Sequence, residues 1–378
     1  MMAKTSCVRL HDLVGWLNRN YPQSLAEEWD NVGLQVGDLN QEITKVMVAL
    51  EPTEQTIKQA IDHHCQLLIS HHPLLFKPLK KISKNDETGR ILFAAIQNNL
   101  AIVSAHTNLD HAADGLNDWL AECLDLGATT PLLPPRSGDL VKLVVFVPED
   151  DTDRVATALF KAGAGHIGGY DHCSFRNRGT GTFRPGTDTQ PFIGQTGQDE
   201  RVDEVRLETI VPRHRLAATL QRMEKAHPYE EVAYDLIPLE NRRQDIGLGR
   251  IGRLAEPLSL EELAHRCKDK LDCAALRIVA AEQPRPVNKV AVCGGSGASL
   301  IHEAARQGAD VLITGDIKYH EAMAARSLGL ALIDAGHFAT EHLMAPALAS
   351  RLDHYSQTQG WNMAITTAQH ECDPFTHI

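Results

Sequence analysis

Three short segments carry side chains able to bind metal ions. They are Ser70-His71-His72-Pro73, Ala105-His106-Thr107-Asn108-Leu109-Asp110 and Gly336-His337-Phe338-Ala339-Thr340-Glu341. Adjacent His71 and His72 on a turn can point to two different ions. His337 and Glu341 are four apart, so on a helix starting near His337 they share a face. Glu341 can then bridge two ions with its two oxygens. Neutral imidazoles and carboxylates suit zinc, iron, manganese or cobalt, and these segments hold no thiolate to favour softer metals. Two divalent ions ~3.5–4 Å apart can bind and ionise a water. No Ser-His-Asp or Cys-His nucleophile is evident at these segments, so water is the expected attacking group. His106, four residues before Asp110, is the candidate acid/base group, with Asp316 and His320 as alternatives. Its simpler role is to hydrogen-bond the loop that carries Asp110.

Singly, each segment has an ordinary explanation. His-His pairs occur on surfaces, and His-x-x-x-Glu is common on solvated helices. Their common context changes the reading. Each follows an apolar run that reads as a buried strand: QLLIS at 66–70, AIVSA at 101–105 and LALID at 330–334. In open α/β sheets, sites form at the carboxyl ends of strands.

The surrounding elements supply such a sheet. The spacing predicts helices over 7–18, 54–64, 88–98 and 115–124, with a further strand over 43–50. The C-terminal part repeats the alternation, with strands over 287–293 and 310–314 and helices over 299–307, 319–327 and 339–352. Strands separated by helices imply βαβ units and a mainly parallel sheet. The texture changes between these parts. PLLPPR at 131–136 reads as a proline-rich break. Strands over 141–147, 170–176, 181–184, 202–211 and 232–237 follow, with helices over 152–162 and from Pro212 to 226. The run is read as a ferredoxin-like βαββαβ domain, with 170–176 and 181–184, two strands about a Gly-rich turn, giving one strand more than that order needs. The expected architecture is a three-layer α/β core over 1–136 and 241–378, interrupted by an inserted α+β ferredoxin-like domain over 137–240.

Other motifs are weaker. Cys293-Gly294-Gly295-Ser296-Gly297 could cradle a phosphate at a helix start, or be a tight strand-to-helix turn. Asp316 could support the site or cap a helix. His63-His64-Cys65 ends a polar helix and is expected on the surface.

Composition narrows the function classes. The chain has 378 residues, 43% hydrophobic and 23% charged, which suits a globular protein with an ample core. Its net charge of −12 disfavours non-specific binding to nucleic acid or anionic lipid. No stretch approaches the ~18 apolar residues of a membrane span. The 8 cysteines form no C-x-x-C pair. With no secretory signal over 1–15, a reducing cytoplasm is expected.

The chain resembles the NIF-three-like family, often catalogued as GTP cyclohydrolase I type 2 homologues. The matching segments are EWDNVGLQVGD at 28–38, ISHHPLLF at 69–76, SAHTNLD at 104–110, GDIKYHEAMAARSLGLALIDAGHFATE at 315–341 and DPF at 373–375. The resemblance implies a dinuclear centre in which His72 and Asp110 hold one ion, His71 and His337 the other, and Glu341 bridges. It also implies homohexamers enclosing a cavity and, in longer members, an insert similar to nitrogen-regulatory and copper-tolerance proteins. The implied activity is metal-dependent hydrolysis of a small, nucleotide-like molecule. The rival expectation is a metal-binding or regulatory scaffold without turnover.

Overall fold

The computed structural model describes residues 7–135, 140–241, 243–283 and 285–376. The chain divides into two compact units, one running to Pro134 and resuming at Gln244, the other spanning Pro135–Arg243. The expected junction at 136/137 lies outside the described residues.

In chain order the first strands are β1 (Gly33–Val36), β2 (Lys45–Ala49), β3 (Leu67–Ser70), β4 (Ala101–Ser104) and β5 (Gly127–Leu133). The middle unit holds β6 (Leu140–Pro148), β7 (Ser174–Phe183), β8 (Glu200–Pro212) and β9 (Tyr234–Pro238). The rest are β10 (Leu248–Leu258), β11 (Arg277–Val279), β12 (Val287–Ser296), β13 (Val311–Gly315), β14 (Ala331–Asp334) and β15 (Ala364–Thr367).

One sheet of the larger unit has the order β1-β4-β3-β2-β15. Its β15, β2, β3 and β4 are parallel, and β1 closes one edge antiparallel to β4. Every residue of β3 and β4 is buried, as central parallel strands require. Leu67, Ile69 and Val103 pack towards the helices Leu10–Asn20 and Met344–Gln359. Leu68 and Ile102 point the other way, into Ile57 and Ile91 of helices Glu54–Asp62 and Glu87–Gln97. Helices therefore cover both faces, giving three layers.

The second sheet of this unit has the order β11-β14-β13-β12-β10-β5. Its β12, β13 and β14 are parallel, and β11, β10 and β5 are antiparallel additions. The ligand-bearing strands thus belong to parallel arrays in two sheets, where the sequence suggested one. Arg250 of β10 is 1% exposed and locked by Asp118, with Nε 2.5 Å from Oδ1 and Nη2 2.7 Å from Oδ2. The carbonyls of Ala112, Gly247 and Gly249 take its remaining donors.

The smaller unit is a four-stranded antiparallel sheet of order β7-β8-β6-β9. Val155, Leu159 and Met223 of helices Thr152–Lys161 and Leu216–Ala226 pack on Leu143, Val145 and Leu207.

Several expectations need correction. The segments 170–176 and 181–184 do not form a hairpin; β7 is one continuous strand paired along β8. Pro131 does not break the chain but lies within β5, at the sheet's edge, where a missing N–H is tolerated. The chain over 339–352 is two helices, His337–Glu341 and Met344–Gln359. Pro212 ends β8, and its helix begins at Leu216.

Candidate metal centre

Four histidines project from strand ends in the larger unit, and each has its Nδ1 committed to an acceptor. His71 donates to the Ala105 carbonyl at 2.8 Å and His72 to Glu51 Oε1 at 2.5 Å. His106 donates to Asp30 Oδ1 at 2.9 Å and His337 to Asp316 Oδ2 at 2.7 Å. A carbonyl or carboxylate oxygen can only accept, so Nδ1 carries the proton in every ring. In the neutral imidazole, Nε2 then presents a lone pair. Metal-ligating histidines are commonly oriented by such partners.

The lone pairs meet carboxylate oxygens. His72 Nε2 lies 3.1 Å and His337 Nε2 3.0 Å from Glu341 Oε2. His71 Nε2 lies 3.7 Å from Glu341 Oε1 and 3.6 Å from Asp110 Oδ1. Yet among the described residues His71 Nε2, Asp110 Oδ1 and Glu341 Oε2 are buried without a hydrogen-bond partner. Buried polar atoms without partners are rare and costly. A cation among them would satisfy all three at once, so the donor set fits a metal. Ring nitrogens of His71, His72 and His106 lie within 4.8 Å of one another, as do ligand atoms of His72, His337 and Glu341.

The side-chain distances fall into two groups. His71 is grouped with Asp110 on the Oε1 side of Glu341, and His72 with His337 on the Oε2 side. Glu341 stands between the two groups.

Without a metal the site attracts protons. Burial opposes charge on His72, but Glu341 and Glu51 override it and push its pKa up to about 10. Glu341 raises His337 to about 9, with burial opposing and Asp316 assisting. Burial works against charged His71 too, and Asp110 and Glu341 raise it nonetheless. Burial pushes Asp110 up, whereas Glu341 is held well below the usual carboxylate range by the imidazoles around it despite its own burial.

The Gly-rich segment after β12's core builds a wall of the site. Gly295 has φ +58°, and a Cβ there would lie 2.2 Å from Glu341 Oε1 and 3.1 Å from His337 Nε2. Its N–H donates to Thr340 Oγ1 at 2.9 Å, and Thr314 Oγ1 donates to its carbonyl at 3.0 Å. Of the segment 293–297, Cys293–Ser296 continues β12 through an irregularity in its pairing with β13, and Gly297 alone links it to the 3-10 turn Ala298–Leu300. Asp316, at φ +60°, orients His337. His320 is exposed, its described contact being with the Tyr319 ring. His63 and His64 are exposed as expected, but Cys65, also expected on the surface, is buried against the core that holds Ile57 and Ile91.

Sequence reasoning missed three supporting carboxylates. Asp30 accepts from His106 and from Thr107 N and Oγ1, and despite the opposing effect of burial these bonds hold its pKa at about 2. Glu51 holds His72. Glu371 accepts the N–H of Leu50 at 3.0 Å and of Glu51 at 2.9 Å, fixing the turn that presents Glu51. Asp30 lies in EWDNVGLQVGD, a segment that carries the resemblance but assigns it no role, whereas Glu51 sits in a short polar break after β2, a signal too common to single it out.

A largely parallel-stranded α/β core with His and carboxylate side chains gathered at its strand ends, in groups that could hold a metal ion, is the class that the fold and site define. The chain matches the profile of the Duf34/NIF3 (NGG1p interacting factor 3) family over residues 8–374, and it belongs to that family. It is 43% identical over 357 residues to a Bacillus subtilis protein named GTP cyclohydrolase 1 type 2 homolog, covering 94% of this chain and 95% of that one. A protein of the same name from Mycobacterium tuberculosis is 39% identical over 337 residues, 88% of each chain. Among solved structures, a Bacillus cereus protein related to NIF3 superposes with TM-score 0.89 at 41% identity, covering 99% of this chain and 100% of that one. No helix among the described residues is long and apolar enough to cross a membrane.

Proposed function

We propose that this protein holds two divalent metal ions through His71, His72, Asp110, His337 and Glu341. We further propose that it is a cytoplasmic, metal-dependent hydrolase of a small, nucleotide-like substrate. The observation that carries the reading is the set of inward ring nitrogens: the imidazoles are tied outward through Nδ1, while among the described residues His71 Nε2, Asp110 Oδ1 and Glu341 Oε2 are buried without a hydrogen-bond partner. Bound ions would supply Lewis acidity at that point.

The chain's own residues support turnover. His106 keeps Nε2 available to take a proton, and Asp30 stabilises the resulting imidazolium, the logic of an Asp-oriented general base. Trp29 lies 6.1 Å from the His106 ring and 5.7 Å from Phe76, ring centroid to centroid. Both are half exposed and line a cavity of about 640 Å³ that reaches Asp30. Such an aromatic shelf suits a flat heterocycle. The names of the relatives agree with a nucleotide-like substrate.

A second reading is a non-catalytic metal-binding or regulatory scaffold. It is favoured by the closeness of the His71, His72 and His106 nitrogens, within 4.8 Å, which would let His106 serve as a further ligand. We also read the unit Pro135–Arg243 as an inserted ferredoxin-like domain, supported by its βαββαβ order, and the assembly as a homohexamer, supported by the family resemblance.

The test is elemental analysis of the reconstituted protein followed by a screen of nucleotides, phosphoesters and cyclic amides. About two metals per chain with metal-dependent turnover is the expected result. Absence of any transition metal after reconstitution overturns the centre. Bound metal with no turnover across the screen favours the scaffold.

A further inference from the structure

The unit Pro135–Arg243 contains a cavity of about 570 Å³ that the metal centre does not use. Val145 and Val147 of β6 point into the helix-covered core, so Phe146 between them faces the other side of the sheet. There it lines the cavity with Phe183, Phe192 and Tyr229. The Tyr229 ring lies 6.0 Å from Phe183 and 6.4 Å from Phe192, centroid to centroid.

A single carboxylate sits among these rings. Glu204 is 9% exposed and accepts the Tyr229 hydroxyl on Oε1 at 3.0 Å. Its Oε2 passes against Gly181, where a Cβ would be 2.1 Å away. Among the described residues no Lys, Arg or His pairs with it. The two arginines lining the cavity are engaged elsewhere, Arg206 with Glu208 at 3.1 Å and Arg178 with Glu149 at 2.5 Å. Glu230 and Glu231 add further negative charge to the lining.

The aromatic wall is held in place before any ligand arrives. The Tyr229 N–H donates to His227 Nδ1 at 3.1 Å, so the His227 proton is on Nε2, which donates to the Phe146 carbonyl at 3.0 Å. Gln190 N donates to Glu230 Oε1 at 3.0 Å, tying the loop that carries Phe192 to the rim.

We propose that this cavity binds a small organic cation, an ammonium or amidinium group on an aromatic or alkyl body. Aromatic faces attract cations through their quadrupoles. A buried carboxylate with one neutral donor gains a charge-assisted hydrogen bond from such a group. The volume lies in the range of small-molecule sites, roughly 300–1,000 Å³.

The test uses the full-length protein with benzamidine and its neutral isostere benzamide, followed by calorimetry. Benzamidine should bind at least about tenfold more tightly, because only it carries the charge. Glu204→Gln should abolish that preference. Phe192 is 61% exposed, so Phe192→Ala should spare the fold and weaken benzamidine several-fold. His337→Ala should leave benzamidine binding unchanged, which separates this cavity from the carboxylates of the metal centre. No benzamidine binding, equal binding of the two probes, an unaltered preference in Glu204→Gln, or loss of binding in folded His337→Ala each overturns the proposal.

Discussion

Asp30 and His106 lie 76 positions apart in sequence and share a hydrogen bond of 2.9 Å. The bond fixes which ring nitrogen of His106 can act as a base. Asp30→Asn should therefore retain the metals and lower turnover by about 10²–10⁴-fold, the usual worth of positioned acid–base help. His106→Ala should behave alike. Loss of metal in either variant would make His106 a ligand instead. Full activity in both would move the acid/base role away from this pair.

The same carboxylate gives a stability prediction. The folded-state pKa of Asp30 is about 2, below the unfolded value near ~3.9, so its contribution is present above about pH 4. It is lost as pH falls through about 2, and amounts to about 2 kcal/mol. Acid unfolding of Asp30→Asn compared with the parent chain should show a difference at pH 6 that vanishes near pH 2.

Metal loading should release protons. His72 and His337, with metal-free pKa values of about 10 and about 9, are protonated at pH 7 and must be neutral to ligate. Affinity should rise by up to about a hundredfold per pH unit, two protons' worth, until these values are passed. Chelator competition at pH 6 and pH 8 measures this, and a flat profile would refute it. In the metal-free protein the sign runs the other way. These raised pKa values stabilise the fold fully below about pH 6.5 and progressively less up to pH 9–10.

Gly295→Ala should eject metal, because the added Cβ would sit 2.2 Å from Glu341 Oε1. Gly308, at φ +72° with nothing within 4 Å, is the control for backbone strain alone. Gly308→Ala should cost about 1–2 kcal/mol in thermal unfolding and leave metal content intact. His337→Ala and Glu341→Ala should lose metal with unchanged far-UV dichroism. Metal retained in Gly295→Ala would contradict the wall described for the site.

Leu133 and Leu248 are Cα partners on adjacent antiparallel strands, so the chain leaves and re-enters the larger unit roughly 5 Å apart. Replacing 135–243 with a short Gly/Ser linker should leave a soluble, metal-binding core, since closure cost varies slowly with loop length. Aggregation with every linker tested would make the smaller unit integral to the fold.

The parts legible in sequence were those with local signals. QLLIS, AIVSA and LALID are mostly apolar at alternate and intervening positions alike because helices cover both faces of their strands, and the candidate ligands follow them closely. β10 went unread because GRIGRL breaks the apolar pattern; the first of its two arginines, Arg250, is buried against Asp118, a partner 132 positions away. β15 is four residues long and finds its neighbour only across the whole chain, beside β2. The grouping of His71 with Asp110 was equally hidden, since adjacent histidines on a turn do not reveal which way each ring swings. Asp30 and Glu371 act through tertiary contacts that no local spacing encodes.

The four outward anchors are unequal, and this shapes how the centre can evolve. His71 is held by a main-chain carbonyl, which no side-chain replacement can remove. His72, His106 and His337 are held by the carboxylates of Glu51, Asp30 and Asp316, each a single codon change from a weaker acceptor. One ring is therefore a fixed reference, and three are adjustable. A replacement at one of those three carboxylates would loosen one ring while the His71 ring keeps its anchor.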